Sequence, residues 1–151
     1  MIARTSRLIL SALLSVSFAS AAMAKGKKGQ YVEMSYDKLQ WNDVPGTPLK
    51  VAVLWGNPEK GAHGRYLKLP GGFEAGMHSH SSPYHGVLIS GTWMHWEEGT
   101  TTPTELSAGS YVMQPGKKNH ADKCKEGSDC VVLIVQPGKS DYIPAKAPEK
   151  K

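Results

Sequence analysis

Gly72-Phe73-Glu74-Ala75-Gly76-Met77-His78-Ser79-His80-Ser81-Ser82-Pro83-Tyr84-His85 is the stretch on which the reading of this chain turns. On an extended strand, residues i and i+2 project to the same face. His78 and His80 therefore point the same way, close enough to share one ion. Ser81-Ser82-Pro83 forces a turn, and the strand that follows returns alongside with a polar residue at its start. Imidazole nitrogen suits zinc, copper, iron and nickel. Taken alone, a His-x-His pair is more often a surface or hydrogen-bonded core pair than a metal site, so its surroundings decide.

Those surroundings are β-favouring throughout. Leu49–Trp55, Gly64–Leu69, Glu74–Ser79, Tyr84–Ile89, Thr92–Trp96, Ser110–Met113, His120–Lys125 and Val131–Val135 are short runs bounded by Gly, Pro, Ser or Asn. Short strands at near-regular spacing predict a sandwich or barrel. After residue 24 no stretch carries a helical apolar stripe for three turns. Tyr31–Trp41 has mixed periodicity and is left unassigned. The 16 Gly and 10 Pro among 151 residues suit a turn-rich all-β chain. The Lys/Pro-rich residues 138–151 read as a tail.

The wider pattern resembles the cupin superfamily. Its first motif, Gly-x5-His-x-His-x(3,4)-Glu-x6-Gly, is met at Gly72, His78, His80 and Gly91. Its second, Gly-x5-Pro-x-Gly-x2-His-x3-Asn, is met at Gly109, Pro115 and His120. The resemblance spans residues 49–137 and is greatest to small secreted bacterial cupins related to the cupin domain of anti-sigma factors. It implies a single jelly-roll barrel with a divalent metal (zinc, iron, manganese or copper) and, by the habit of such barrels, an edge-to-edge homodimer.

Three positions depart from the motifs. The first-motif Glu is missing: counting back from Gly91 puts Tyr84 there, and counting forward from His80 puts His85 there. Alternation groups His85 with Val87 and Ile89, and Tyr84 with Gly86, Leu88 and Ser90. A barrel interior should take the more apolar set, which favours His85 and predicts metal ligands His78, His80, His85 and His120. Tyr84 is then a hydrogen-bonding group at the site. The second-motif Gly is Lys117, with Gly116 beside it, and the closing Asn is Cys124.

Trp93 and His95 are expected on the face that carries His85, either as a pocket wall with a proton-transferring His or as ordinary core packing. His95 and Tyr84 are the candidate catalytic residues. Glu74 and Asp122 flank the ligands and can orient them or lie at the surface. His63, in Lys60-Gly-Ala-His-Gly, reads as a surface loop residue. Cys124 and Cys130 flank Lys-Glu-Gly-Ser-Asp, which predicts a hairpin with the two cysteines facing each other as a disulfide. A thiolate ligand at Cys124 is the competing reading.

Arg4 and Arg7, the apolar run Leu8–Phe18 and Ala22-Met23-Ala24 have the order of a cleaved secretory leader, residues 1–24. That run is too short to span a bilayer. The expected location is periplasmic or secreted, with no membrane association once the leader is gone. Residues 25–48 form an N-terminal segment. Lys25, Lys27, Lys28, Lys146, Lys150 and Lys151 concentrate basic charge at the ends and leave the body slightly acidic, so the net +5 does not support nucleic-acid binding. Two cysteines are too few for a disulfide scaffold or a four-Cys zinc module.

The expected function is a metal-dependent enzyme, dioxygenase-, isomerase- or hydrolase-like, acting on a small oxygen-rich molecule. The alternative is a cupin that binds or senses without turnover. A barrel without metal, used for self-association, is a third reading, which intact His78, His80 and His120 disfavour.

Overall fold

The computed structural model describes residues 30–146; the expected leader lies outside them. A 3-10 turn (Tyr36–Lys38) precedes eleven strands: β1 Asn42–Asp43, β2 Lys50–Gly56, β3 His63–Leu69, β4 Glu74–Ser79, β5 Tyr84–Ser90, β6 Trp93–Glu97, β7 Glu105–Leu106, β8 Tyr111–Gln114, β9 His120–Cys124, β10 Cys130–Gln136 and β11 Ile143–Pro144. They form two antiparallel sheets, ordered β1-β2-β3-β10-β5-β8 and β11-β4-β9-β6-β7, which face each other as a jelly roll. All eight runs expected from the sequence are strands, while β1, β7 and β11 are short additions.

β10 reads Cys-Val-Val-Leu-Ile-Val-Gln, a near-continuous apolar run that suits a strand at the centre of its sheet. Its inward Val132 and Ile134 meet Leu69, Leu88, Tyr84 and Trp93 in the core. The unassigned N-terminal stretch closes the outside of β2 and β3. Tyr36 packs edge-on against Trp41 and Tyr66, and Lys68 lies over the Trp41 ring at 4.3 Å.

Two expectations are corrected here. Cys124 and Cys130 do lie at disulfide distance, with Cα atoms 5.7 Å apart, but not across a hairpin. β9 and β10 belong to different sheets, so the bridge ties one sheet to the other where the chain crosses between them. Residues 138–146 are not a free tail. β11 pairs with β4, placing Ile143 opposite Ser79 and Pro144 opposite His78.

Candidate metal centre

A register shift builds the histidine cluster. β4 pairs with β9 as Glu74 to Lys123 and Ala75 to Asp122, then shifts so that His78 stands opposite His120. Without the shift Met77 would face His120, and His78 would point to the other side of the sheet. One extra residue in a β-bulge reverses that parity and brings the two rings together. Their centroids lie 4.2 Å apart, and His80 sits 4.9 Å from His78 and 5.1 Å from His120.

Each of these rings is held by its far nitrogen. Nδ1 of His78 donates to the Gly76 carbonyl at 2.8 Å, Nδ1 of His120 to Lys118 O at 3.3 Å, and Nδ1 of His80 to Asp141 O. A carbonyl only accepts, so the ring proton stays on Nδ1 and the Nε2 lone pair is free. One ligand atom from each ring lies within 4.8 Å of the others. Burial, then the neighbouring rings, push His78 down to about 4 and His120 to about 3; burial also lowers His80. The three imidazoles are neutral at pH 7, the form that ligates metal. The donor set fits a divalent ion of the imidazole-binding kind.

The facing sheet contributes Tyr84, not His85. Tyr84 is buried, and its hydroxyl lies 3.0 Å from His95 Nε2 and 3.4 Å from His120 Nε2. Burial raises Tyr84 well above the usual tyrosine value, so it remains a hydroxyl. His85 is exposed on the outer surface, with Nδ1 2.7 Å from the Tyr111 hydroxyl. Alternation misassigned the face because both sides of β5 are apolar. Val87 and Ile89 point outward, beside an outer surface that includes Tyr111, Met113 and Val135. Inside, Gly86 faces the Trp93 indole and Ile134. Trp93 and His95 accordingly share the interior with Tyr84 rather than with His85.

His95 stacks on His120 at 4.8 Å and is lowered to about 4 by burial and by His78 and His80. Asp122 is buried, accepts from Trp93 Nε1 at 3.4 Å and lies 3.9 Å from His78 Nε2. Burial raises it to about 6. Glu74 instead pairs with Lys123 at the surface. The loop expectation for His63 is corrected: it begins β3, is fully buried, and donates through Nδ1 to Gly61 O, 2.9 Å away.

Three residues at the site escaped the sequence reading. Tyr142 stacks on His78 at 4.4 Å, and Asp141 holds both Ser81 and the His80 ring. Arg65 enters from β3 and lines a cavity of about 500 Å³ together with Leu67, Val132, His80 and Tyr84. Its signal was present in the sequence: an arginine on the face of β3 that otherwise carries Leu67 and Leu69. Among the described residues no helix is long and apolar enough to cross a membrane.

The fold is the cupin-type jelly roll. The family model described as "Domain of unknown function (DUF4437)" matches residues 21–141, and the chain belongs to that family. Similar solved structures share the barrel. The polyketide cyclase RemF from Streptomyces resistomycificus has 13% identity and a TM-score of 0.66, covering 80% of this chain and 89% of that one. A cupin 2 conserved barrel domain protein from Rhodopseudomonas palustris has 13% identity and a TM-score of 0.59, covering 77% and 86%. The anti-sigma ChrR complex with SigE from Rhodobacter sphaeroides has 22% identity and a TM-score of 0.54, covering 68% of this chain and 51% of that one. The chain matches no curated protein in sequence.

Proposed function

We propose that this protein is an exported, metal-dependent cupin enzyme acting on a small oxygen-containing molecule, with His78, His80 and His120 as the metal ligands. The observation that carries the reading is the set of three Nε2 lone pairs. Each is freed by a backbone carbonyl on Nδ1, and they converge beside the cavity. Zinc, iron, manganese or copper held there would polarise a substrate oxygen or activate water or dioxygen.

The chain's own residues supply the rest. Tyr84 presents a hydroxyl between His120 and His95, so it can give a proton to substrate and regain one through His95. Trp93 and the apolar walls exclude water. The buried Cys124–Cys130 pair supports an oxidising compartment, periplasmic or extracellular. The RemF similarity lends the enzyme reading support at the level of fold alone.

The test is elemental analysis of the full chain, produced without a metal-affinity tag and recovered from the export compartment. About one equivalent of metal, lost in both His78→Ala and His120→Ala, is expected. No metal after reloading with zinc, iron, manganese and copper would overturn the centre.

A further inference from the structure

The cavity contains a cation that, among the described residues, no anion pairs with. Arg65 stands on β3 between Val53 of β2 and Ile134 of β10, and its neighbours on the same face of the strand pairs are Val51, Leu67 and Val132. Its Nε is buried and has no hydrogen-bond partner, and among the described residues its guanidinium makes no ion pair. The three carboxylates that line the same cavity are committed elsewhere. Glu74 pairs with Lys123. Asp122 accepts from Trp93, and Asp141 accepts from the Ser81 backbone and hydroxyl.

A guanidinium stays charged at any ordinary pH, and an uncompensated charge in an apolar wall destabilises the fold. A hydrophobic residue of similar volume would pack there at less cost. An oxyanion that arrives with the ligand removes the imbalance, and the planar fork of arginine matches a carboxylate through two parallel hydrogen bonds.

We propose that Arg65 anchors the carboxylate of the substrate, so that the protein acts on small organic acids whose remaining body lies along the apolar wall and whose second oxygen reaches the histidine cluster. The assignment deepens the proposed function and rests on it for where the reacting oxygen sits. Arg65 holds and orients the substrate, while Tyr84 and His95 handle protons at its other end. The walls formed by Leu49, Val51, Leu67 and Phe73 favour an aromatic or branched acid over a polyhydroxylated one.

The experiment compares acids with their uncharged amides. Benzoate, 2-hydroxybenzoate and pyruvate are titrated against benzamide, 2-hydroxybenzamide and pyruvamide by calorimetry. The full-length protein is used both metal-loaded and after chelation. At least one acid is expected to bind about ten-fold or more tightly than its amide. Arg65→Met should erase the difference, and Arg65→Lys, which keeps the charge and loses the fork, should reduce it several-fold. Equal binding of every acid and amide, no binding of any acid, or undiminished preference in Arg65→Met overturns the proposal. If Arg65→Met does not fold, an undiminished preference in Arg65→Lys overturns it instead. Chelated protein still carries Arg65 and should keep the preference. Failure to hold metal would therefore strike the proposed centre while leaving this comparison intact.

Discussion

The hydroxyl of Tyr84, on one sheet, lies 3.0 Å from Nε2 of His95 on the other, and this contact spans the barrel at the edge of the histidine cluster. Tyr84→Phe keeps the ring and removes the contact. It should cost about 1 kcal/mol in urea unfolding, the ordinary worth of a buried hydrogen bond, while metal content stays unchanged. With an identified substrate, turnover should fall by about a hundred-fold or more. His85→Ala is the matched control from the outer face, and it should change neither metal content nor turnover. Loss of metal in His85→Ala would reinstate His85 as a ligand.

Acid should unfold the metal-free protein through its histidines. His78 and His95 lie near 4 and His120 near 3 in the folded state, against the ordinary 6.5 of the unfolded chain. Stability from these groups is complete above about pH 6.5 and is lost as pH falls toward the folded values, because the unfolded state binds the protons first. Asp122, raised to about 6 from 3.8, acts in the opposite direction over part of that range. Burial also lowers His63 and His80, so the histidines outnumber Asp122 and leave a net uptake of protons on unfolding near pH 5. Urea midpoints measured from pH 7.5 to 4.5 should therefore fall steadily; a flat profile would contradict neutral buried rings.

Lys117 occupies the left-handed region at φ 62°, where the second cupin motif carries glycine. Its backbone N–H reaches His80 O at 2.7 Å, so the turn forms despite the side chain. Gly116 does not take over that conformation. Lys117→Gly should stabilise the protein by about 1 kcal/mol, since only glycine avoids the steric penalty there. Chemical denaturation would read this directly, and a loss of stability would mean the lysine side chain makes a compensating contact.

The C-terminal segment should matter to the metal centre although it supplies no ligand atom. Asp141 O fixes the His80 ring, and Tyr142 covers His78. Ending the chain at residue 137 should weaken metal retention by about 10- to 100-fold, the usual effect of removing groups that orient ligands. Competition with a chromogenic chelator measures it; unchanged affinity would show that the rings are held well enough by Gly76 and Lys118.

Reduction should destabilise without dismantling. Cys124 and Cys130 close a short loop, so opening the bridge should cost about 2 kcal/mol by the chain-entropy argument. Unfolding with and without dithiothreitol tests this, and mass analysis after alkylation reports whether the exported protein carries the bridge.

Much of this protein was legible in one dimension. Alternation and turn residues marked eight strands within a residue or two of their ends, because both signals are local. Strand geometry sends His78 and His80 to one face, and the resemblance of the Gly72, His78, His80 and His120 spacing to the cupin motifs located the cluster. The choice between Tyr84 and His85 was not legible. Both faces of β5 are apolar, and which one lines the barrel is set by packing of Tyr84 and Leu88 against Trp93 and β10. Nor was the bulge in β4, which turns His78 toward His120 and exists only as a relation between two strands. Asp141 and Tyr142 were not legible either, because they reach the site from a segment remote in sequence. Local periodicity therefore marked the strands, and the resemblance to the cupin motifs marked three of the histidines. Tertiary structure alone decided which neighbours surround them, because parity across a sheet and proximity across a cavity are set by pairing and packing between distant parts of the chain.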